Sequence, residues 1–123
     1  MRAAVYSFSL RGAQLSKKVG AFLESLGYEV SVEALAKYAE EANLPAMVGN
    51  HYQVTEKAFK DCQAVVYVGS VGIAVRSIAP YLKSKLVDPA VISIDECGNF
   101  VVPLIAGTSS GEGRYSITAS SNN

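Results

Sequence analysis

Residues able to hold or transform a ligand fall in a few short stretches. Gly69-Ser70-Val71-Gly72 joins the β-branched and aromatic run Val65–Val68 to a segment whose apolar positions 71, 74, 75, 78, 79 and 82 recur at helical spacing. A strand, a tight turn and a helix follow from that pattern. The glycines let the backbone turn sharply and let a ligand approach, while the first N–H groups of the helix point at whatever lies above the turn. Arg76, one helical turn after Gly72, either extends over such a ligand or stands in solvent. A second turn, Ser7-Phe8-Ser9-Leu10-Arg11-Gly12, offers hydroxyls and backbone N–H groups to an anion, with Arg11 as a partner for carboxylate or phosphate. Ser9 also reads as a plain helix cap. Asp95 and Glu96 are adjacent acids at a strand end, where a carboxylate could activate water, although capping the turn is the simpler use of them. Gly107 and Thr108 follow the last apolar strand. His51, the one histidine, lies in an irregular stretch and reads as a surface imidazole, so no metal-ligand set and no Ser-His-Asp triad can be drawn. Neither glycine turn carries the dinucleotide fingerprint, no phosphate-binding P-loop is present, and no cofactor is implied.

The elements that must position these residues can be read in order. Residues 3 to 8 form a strand, and 13 to 26 place Leu15, Val19, Phe22, Leu23 and Leu26 on one stripe of a helix that Gly27 closes. Residues 28 to 32 suit a second parallel strand buried on both faces, which completes a right-handed β-α-β unit. The segment 33 to 52, interrupted by Lys37, Glu40, Glu41, Asn43, Pro45 and Gly49-Asn50, reads as a long loop with a helical turn at most. A short helix over 55 to 60 with Thr55 as its cap, a strand over 64 to 69, and a helix that ends or kinks at Pro80 come next. Asp88-Pro89 marks a turn before a strand over 90 to 94, and the polar turn 95 to 99 precedes a last strand over 100 to 105. The expected fold is a three-layer α/β domain, flavodoxin-like or Rossmann-like, with a mostly parallel sheet. In such sheets ligands bind beyond the carboxyl ends of the strands, and that rule gathers the stretches above.

Composition narrows the partners. The chain has 123 residues, 50% of them hydrophobic, with 11 basic and 11 acidic residues. A formal charge of zero gives no field to draw it to nucleic acid or to an anionic membrane. No run of about 20 apolar residues suggests a membrane span, and Ser7 interrupts the N-terminal segment before a secretory core could form, so the expected location is cytoplasmic. Cys62 and Cys97 are too few for a disulfide scaffold or a zinc knuckle. Residues 108 to 123 contain one aliphatic residue larger than alanine, Ile117, and read as a mobile polar tail after a domain spanning 1 to 107.

The blocks Gly69-Ser-Val-Gly-Ile-Ala-Val-Arg-Ser-Ile-Ala-Pro80 and Lys85-Leu-Val-Asp-Pro-Ala-Val-Ile-Ser-Ile-Asp-Glu-Cys-Gly-Asn-Phe100, preceded by Ser9-Leu-Arg-Gly12-Ala-Gln-Leu, occur in an order that resembles the CbiG family of cobalamin biosynthesis. The resemblance implies a cobalt-precorrin-5A hydrolase, which opens a δ-lactone on a contracted macrocycle and releases acetaldehyde. It implies a cobalt-containing tetrapyrrole as substrate, and the residues already read from the turns suit one in kind: Ser9, Arg11, Gly12, Gly69, Ser70, Gly72, Arg76, Gly107 and Thr108 as binding groups, with Gly69 to Gly72 and Arg76 for its carboxylates, and Asp95 or Glu96 for proton transfer. The family pattern after the last strand is similar to G-H-x-G-G-A-N, whereas Gly107 is followed here by Thr108-Ser-Ser-Gly-Glu-Gly-Arg. That departure reads as a chain truncated or frame-shifted relative to the family. Two other readings keep the fold: a non-catalytic corrinoid-binding or docking domain that needs a C-terminal partner or pairs as a homodimer, and a flavodoxin-like mononucleotide binder.

Overall fold

The computed structural model describes residues 1–84 and 86–105. Its elements are β1 (Arg2–Ser7), α1 (Leu10–Ser25), β2 (Glu29–Ala34), α2 (Ala36–Ala42), α3 (His51–Asp61), β3 (Ala64–Val68), α4 (Val71–Ile78), β4 (Ala90–Ile94) and β5 (Val101–Ile105). The sheet order is β2-β1-β3-β4-β5, with β1, β2, β3 and β4 parallel and β5 antiparallel to β4. The expected mostly parallel α/β architecture is the one observed. The expected tail, and with it the boundary after Gly107, lies outside the described residues.

Three layers follow from the alternation of strand side chains. On one face Ala3, Val5, Val66, Ile92 and Ile94 pack under Val19 and Leu23 of α1. On the other, Ala4, Tyr6, Val65, Tyr67 and Val91 pack under Val54 and Ala58 of α3 and Ala74 and Ile78 of α4. Every residue of β3 and β4 is buried, as expected for parallel strands covered on both faces.

Some expectations fail, each for a physical reason. The segment 33 to 52 is no open loop: β2 runs on to Ala34, α2 occupies Ala36–Ala42, and α3 begins at His51. Helix α2 escapes a reading by apolar stripe because its buried residues are alanines, Ala39 and Ala42, which meet Ala13 of α1 and Ala34 of β2. The cap of α3 is Asn50, not Thr55. Asn50 accepts the N–H groups of Tyr52 and Gln53 while the Gln53 side chain accepts the Asn50 N–H. Thr55 is fully buried, and its hydroxyl bonds the His51 carbonyl and the Tyr67 hydroxyl. Strand β2 is an edge strand with Glu29 and Ser31 exposed, so its second face is not covered as the sequence suggested. The helix before Pro80 does end as expected, at Ile78, and tightens into a 3-10 turn over Ala79–Tyr81, since proline cannot donate to the ladder. Pro103 is tolerated within β5 because that strand is at the edge of the sheet.

One glycine sets how closely α1 lies on the sheet. A Cβ on buried Gly20 would stand 2.6 Å from a methyl of Val32, a β-branched side chain with little rotational freedom. Alanine there would gain helix propensity of about 1 kcal/mol but push α1 off β2, and overpacking of that kind costs about 1–3 kcal/mol. Gly20→Ala is therefore expected to lower the urea midpoint of unfolding; a higher midpoint would mean that the contact yields freely.

Candidate functional site

Strand β1 sends the chain through α1 to β2 on one side, and β3 sends it through α4 to β4 on the other. The order thus reverses between β1 and β3, and the turns that leave them face the same crevice. Ser9 caps α1 by accepting the Gly12 N–H at 3.0 Å, and Ser70 caps α4 by accepting the Ile73 N–H at 3.3 Å. The two turns are pressed together. A Cβ on Gly12 would lie 3.1 Å from the Val68 carbonyl oxygen, and one on Gly69 would lie 3.4 Å from the Phe8 ring. Phe8 in turn stacks on Tyr67 with ring centroids 6.5 Å apart, and the Gly69 N–H donates to the Ile94 carbonyl, tying the turn to β4.

The β4–β5 turn closes over the start of α1. The Ser9 hydroxyl donates to Glu96 Oε2, and Arg11 Nη1 lies 3.1 Å from Cys97 Sγ. Asp95 builds the turn itself, accepting the Phe100 N–H on Oδ1 and the Cys97 N–H on Oδ2. Gly98, at φ 77°, takes a left-handed conformation above Leu15. Between this turn and the helix lies an open cavity of about 320 Å³ lined by Arg11, Gln14, Leu15, Lys18, Glu96 and Cys97. Gln14, Lys18 and Cys97 were not singled out from the sequence. The first two were legible there, because with Arg11 they repeat at i, i+3 and i+7 as one polar stripe of α1.

The structure therefore brings Ser9, Arg11, Gly12, Asp95 and Glu96 together on the α1 side of the crevice. Gly69, Ser70, Gly72 and Arg76 lie across it. The exposed Arg76 folds back along α4, its guanidinium 3.6 Å from where a Gly72 Cβ would stand. Gly107 and Thr108 lie outside the described residues. Ser7, at the end of β1, is fully buried with a hydroxyl that has no partner among the described residues. His51 is not the solvated imidazole expected: it is half-buried, its Nδ1 is 2.7 Å from Ser77 Oγ, and its ring packs against Tyr52 at 4.2 Å.

Another cavity, of about 370 Å³, runs along the β2–α3 side, where Glu29, Ser31 and Glu33 face Gln53, Lys57 and Asp61. It reaches down to Arg2 and Cys62 at the amino ends of the strands, away from the strand-end glycines. Burial pushes the Glu33 carboxyl up from its ordinary value, and Lys57 opposes the shift. The cavity at α1 is the candidate site because the helix start, the crevice and the two cations Arg11 and Lys18 converge there.

A family described as Cobalamin synthesis G N-terminal matches residues 53–118. The chain belongs to this family. It is 32% identical over 108 residues to a cobalt-precorrin-5A hydrolase of Salmonella typhimurium, covering 88% of this chain and 29% of that protein. A cobalt-precorrin-5A hydrolase of Priestia megaterium is 27% identical over 108 residues, covering 85% of this chain and 28% of the relative. The chain thus spans less than a third of the length of these curated relatives. A crystal structure of a cobalamin biosynthesis protein G homolog from Sulfolobus solfataricus shares the fold, with a TM-score of 0.70 and 24% identity over 96% of this chain and 33% of that one. The described residues contain no helix long and apolar enough to cross a membrane.

Ser9→Ala removes the α1 cap and the bond to Glu96 together, so it is expected to lower stability by about 1–2 kcal/mol in urea unfolding; an unchanged midpoint would mean that neither bond matters to the fold. Glu33 gives a second expectation. Its folded pKa is raised, so its favourable contribution is complete below the ordinary glutamate pKa and is lost as pH rises through the folded value. Glu33→Gln should stabilise the protein at neutral pH and leave it nearly unchanged near pH 4, a difference that melting curves at the two pH values would reveal.

Proposed function

We propose that this domain binds a cobalt-containing tetrapyrrole and forms the N-terminal part of a cobalt-precorrin-5A hydrolase. The observation that carries the reading is the open cavity at α1, where Arg11, Gln14 and Lys18 present cationic and N–H donors beside Glu96, in a chain related over most of its length to proteins with that name. A tetrapyrrole of this pathway carries carboxylates at its rim and offers no single deep anchor. It suits a rim of separated anion-seeking groups better than a closed pocket.

Arg11 and Lys18 supply charge on the α1 side, with Gln14 between them as a neutral donor. Across the crevice, Arg76 and the first N–H groups of α4 supply a second set, and Gly69 and Gly72 leave the backbone bare there. Lactone opening requires water to attack the acyl carbon as a base takes its proton, breaking the ring C–O bond to leave a carboxylate and an alcohol. Release of acetaldehyde then requires that the alcohol lose its proton as the adjacent C–C bond breaks, the electron pair passing to the macrocycle. Glu96 is the carboxylate that borders the cavity, and Ser9 holds one of its oxygens by hydrogen bond, leaving the other to a water. Asp95 shapes the turn that carries it.

A second reading, a recognition domain without chemistry, draws support from the same contacts. Both oxygens of Asp95 and one oxygen of Glu96 already hold protein groups. Mixing the purified chain with cobalt-precorrin-5A and assaying acetaldehyde, together with the absorbance of the bound pigment, separates the two. Release of acetaldehyde supports the hydrolase reading, binding without release supports the recognition domain, and no binding overturns both. Arg11→Ala, Lys18→Ala and Arg76→Ala are each expected to weaken binding about tenfold, the worth of one charge-assisted contact of about 1.4 kcal/mol, with affinity falling as salt is raised. Unchanged affinity in all three would remove this edge from the site.

A further inference from the structure

His51 is the histidine that the chemistry above leaves unused, and its surroundings fix more than its position. Ser77 Oγ is 2.6 Å from the Ile73 carbonyl and can reach it only by donating its single proton. The same oxygen lies 2.7 Å from His51 Nδ1, so it must accept there, and Nδ1 carries a proton. In the neutral ring the lone pair is then on Nε2, for which no hydrogen-bond partner is found among the described residues. Contact with Tyr52 at 4.2 Å and the bond to Ser77 hold the ring in one orientation. Gain of a proton or of a metal at Nε2 would leave the Nδ1–H bond intact.

This is the outer-shell arrangement found behind metal-bound histidines, in which the far N–H donates to an acceptor that orients the ring and raises its basicity. Yet the described residues contain no group of three or more histidines, cysteines or acids able to hold an ion. A single supported imidazole cannot retain a free cation, but it is sufficient for a metal that arrives with its equatorial ligands already in place. Topology puts His51 at the right end of the molecule. It opens α3, which leaves the carboxyl edge and runs back to the start of β3, and it bonds Ser77 of α4, on the sheet face opposite α1.

We propose that His51 Nε2 is an axial ligand to the cobalt of the bound tetrapyrrole, with Ser77 as the positioning residue behind it. The proposal rests on the tetrapyrrole reading above. It adds a coordinate bond from nitrogen to cobalt that displaces a bound water and involves no change of oxidation state.

The test uses diaquocobinamide, a cobalt corrinoid with exchangeable axial waters, titrated into the chain while the visible spectrum is followed and bound pigment is measured separately by equilibrium dialysis. Wild type should shift the spectrum to that seen with free imidazole. His51→Gln, which keeps a polar partner for Ser77, should bind without that shift and recover it when imidazole is added. Ser77→Ala should weaken the shifted complex about tenfold, the usual effect of losing an outer-shell partner. Circular dichroism of each variant establishes that it is folded. Binding by wild type without the shift, or the same shift in His51→Gln, overturns axial ligation while leaving the tetrapyrrole reading in place. Absence of binding by wild type overturns both.

Discussion

The carboxyl edge of this sheet depends on one hydroxyl. Ser9 Oγ accepts the N–H of Gly12 and donates to Glu96, so a single atom starts helix α1 and holds down a turn 87 residues further along the chain. Its geometry requires Gly12, because any Cβ there would crowd both Ser9 Oγ, at 3.0 Å, and the Val68 carbonyl, at 3.1 Å. The first and third strands could not otherwise release their helices so close together. The α1 side of the crevice is aligned from that point, since Arg11 and Lys18 ride on the helix that Ser9 starts and Glu96 on the turn that it anchors.

The parallel strands behind this edge give it a rigid base. Tyr67, fully buried in β3, bonds Thr55 of α3 and stacks with Phe8, while Tyr6 donates to the Val54 carbonyl. Burial pushes both phenols well above their ordinary range, so each remains a neutral donor at any physiological pH. Polar atoms are thus spent inside the core to fix α3 against the sheet. The side chains at its exposed start, His51 among them, inherit that fixed position.

Much of this was legible in the sequence. The strands declare themselves by β-branched runs such as Val65–Val68, and the helix after Gly69 by its apolar stripe. Segment 33 to 52 was opaque because α2 packs by alanine on alanine, a contact that leaves no hydrophobic periodicity to detect. Parallel and antiparallel pairing of β5 could not be told apart by composition, as an apolar edge strand reads alike in either direction. Within the site, residue types at the strand ends pointed to the crevice, but partners did not. Ser9 with Glu96, Arg11 with Cys97 and His51 with Ser77 join residues 87, 86 and 26 positions apart. Spacing along the chain holds no trace of such pairs.

The two thiols differ in a way that reaches beyond the fold. Cys62 is half-buried, and burial, followed by the charge of Asp61, pushes its thiol up, away from the reactive thiolate. Cys97 is exposed and stands on the lip of the α1 cavity beside a guanidinium. An electrophilic dye added in limited amount would settle on Cys97 and leave Cys62 untouched. The protein thus carries its own attachment point for a fluorescent reporter, at the mouth of the candidate cavity.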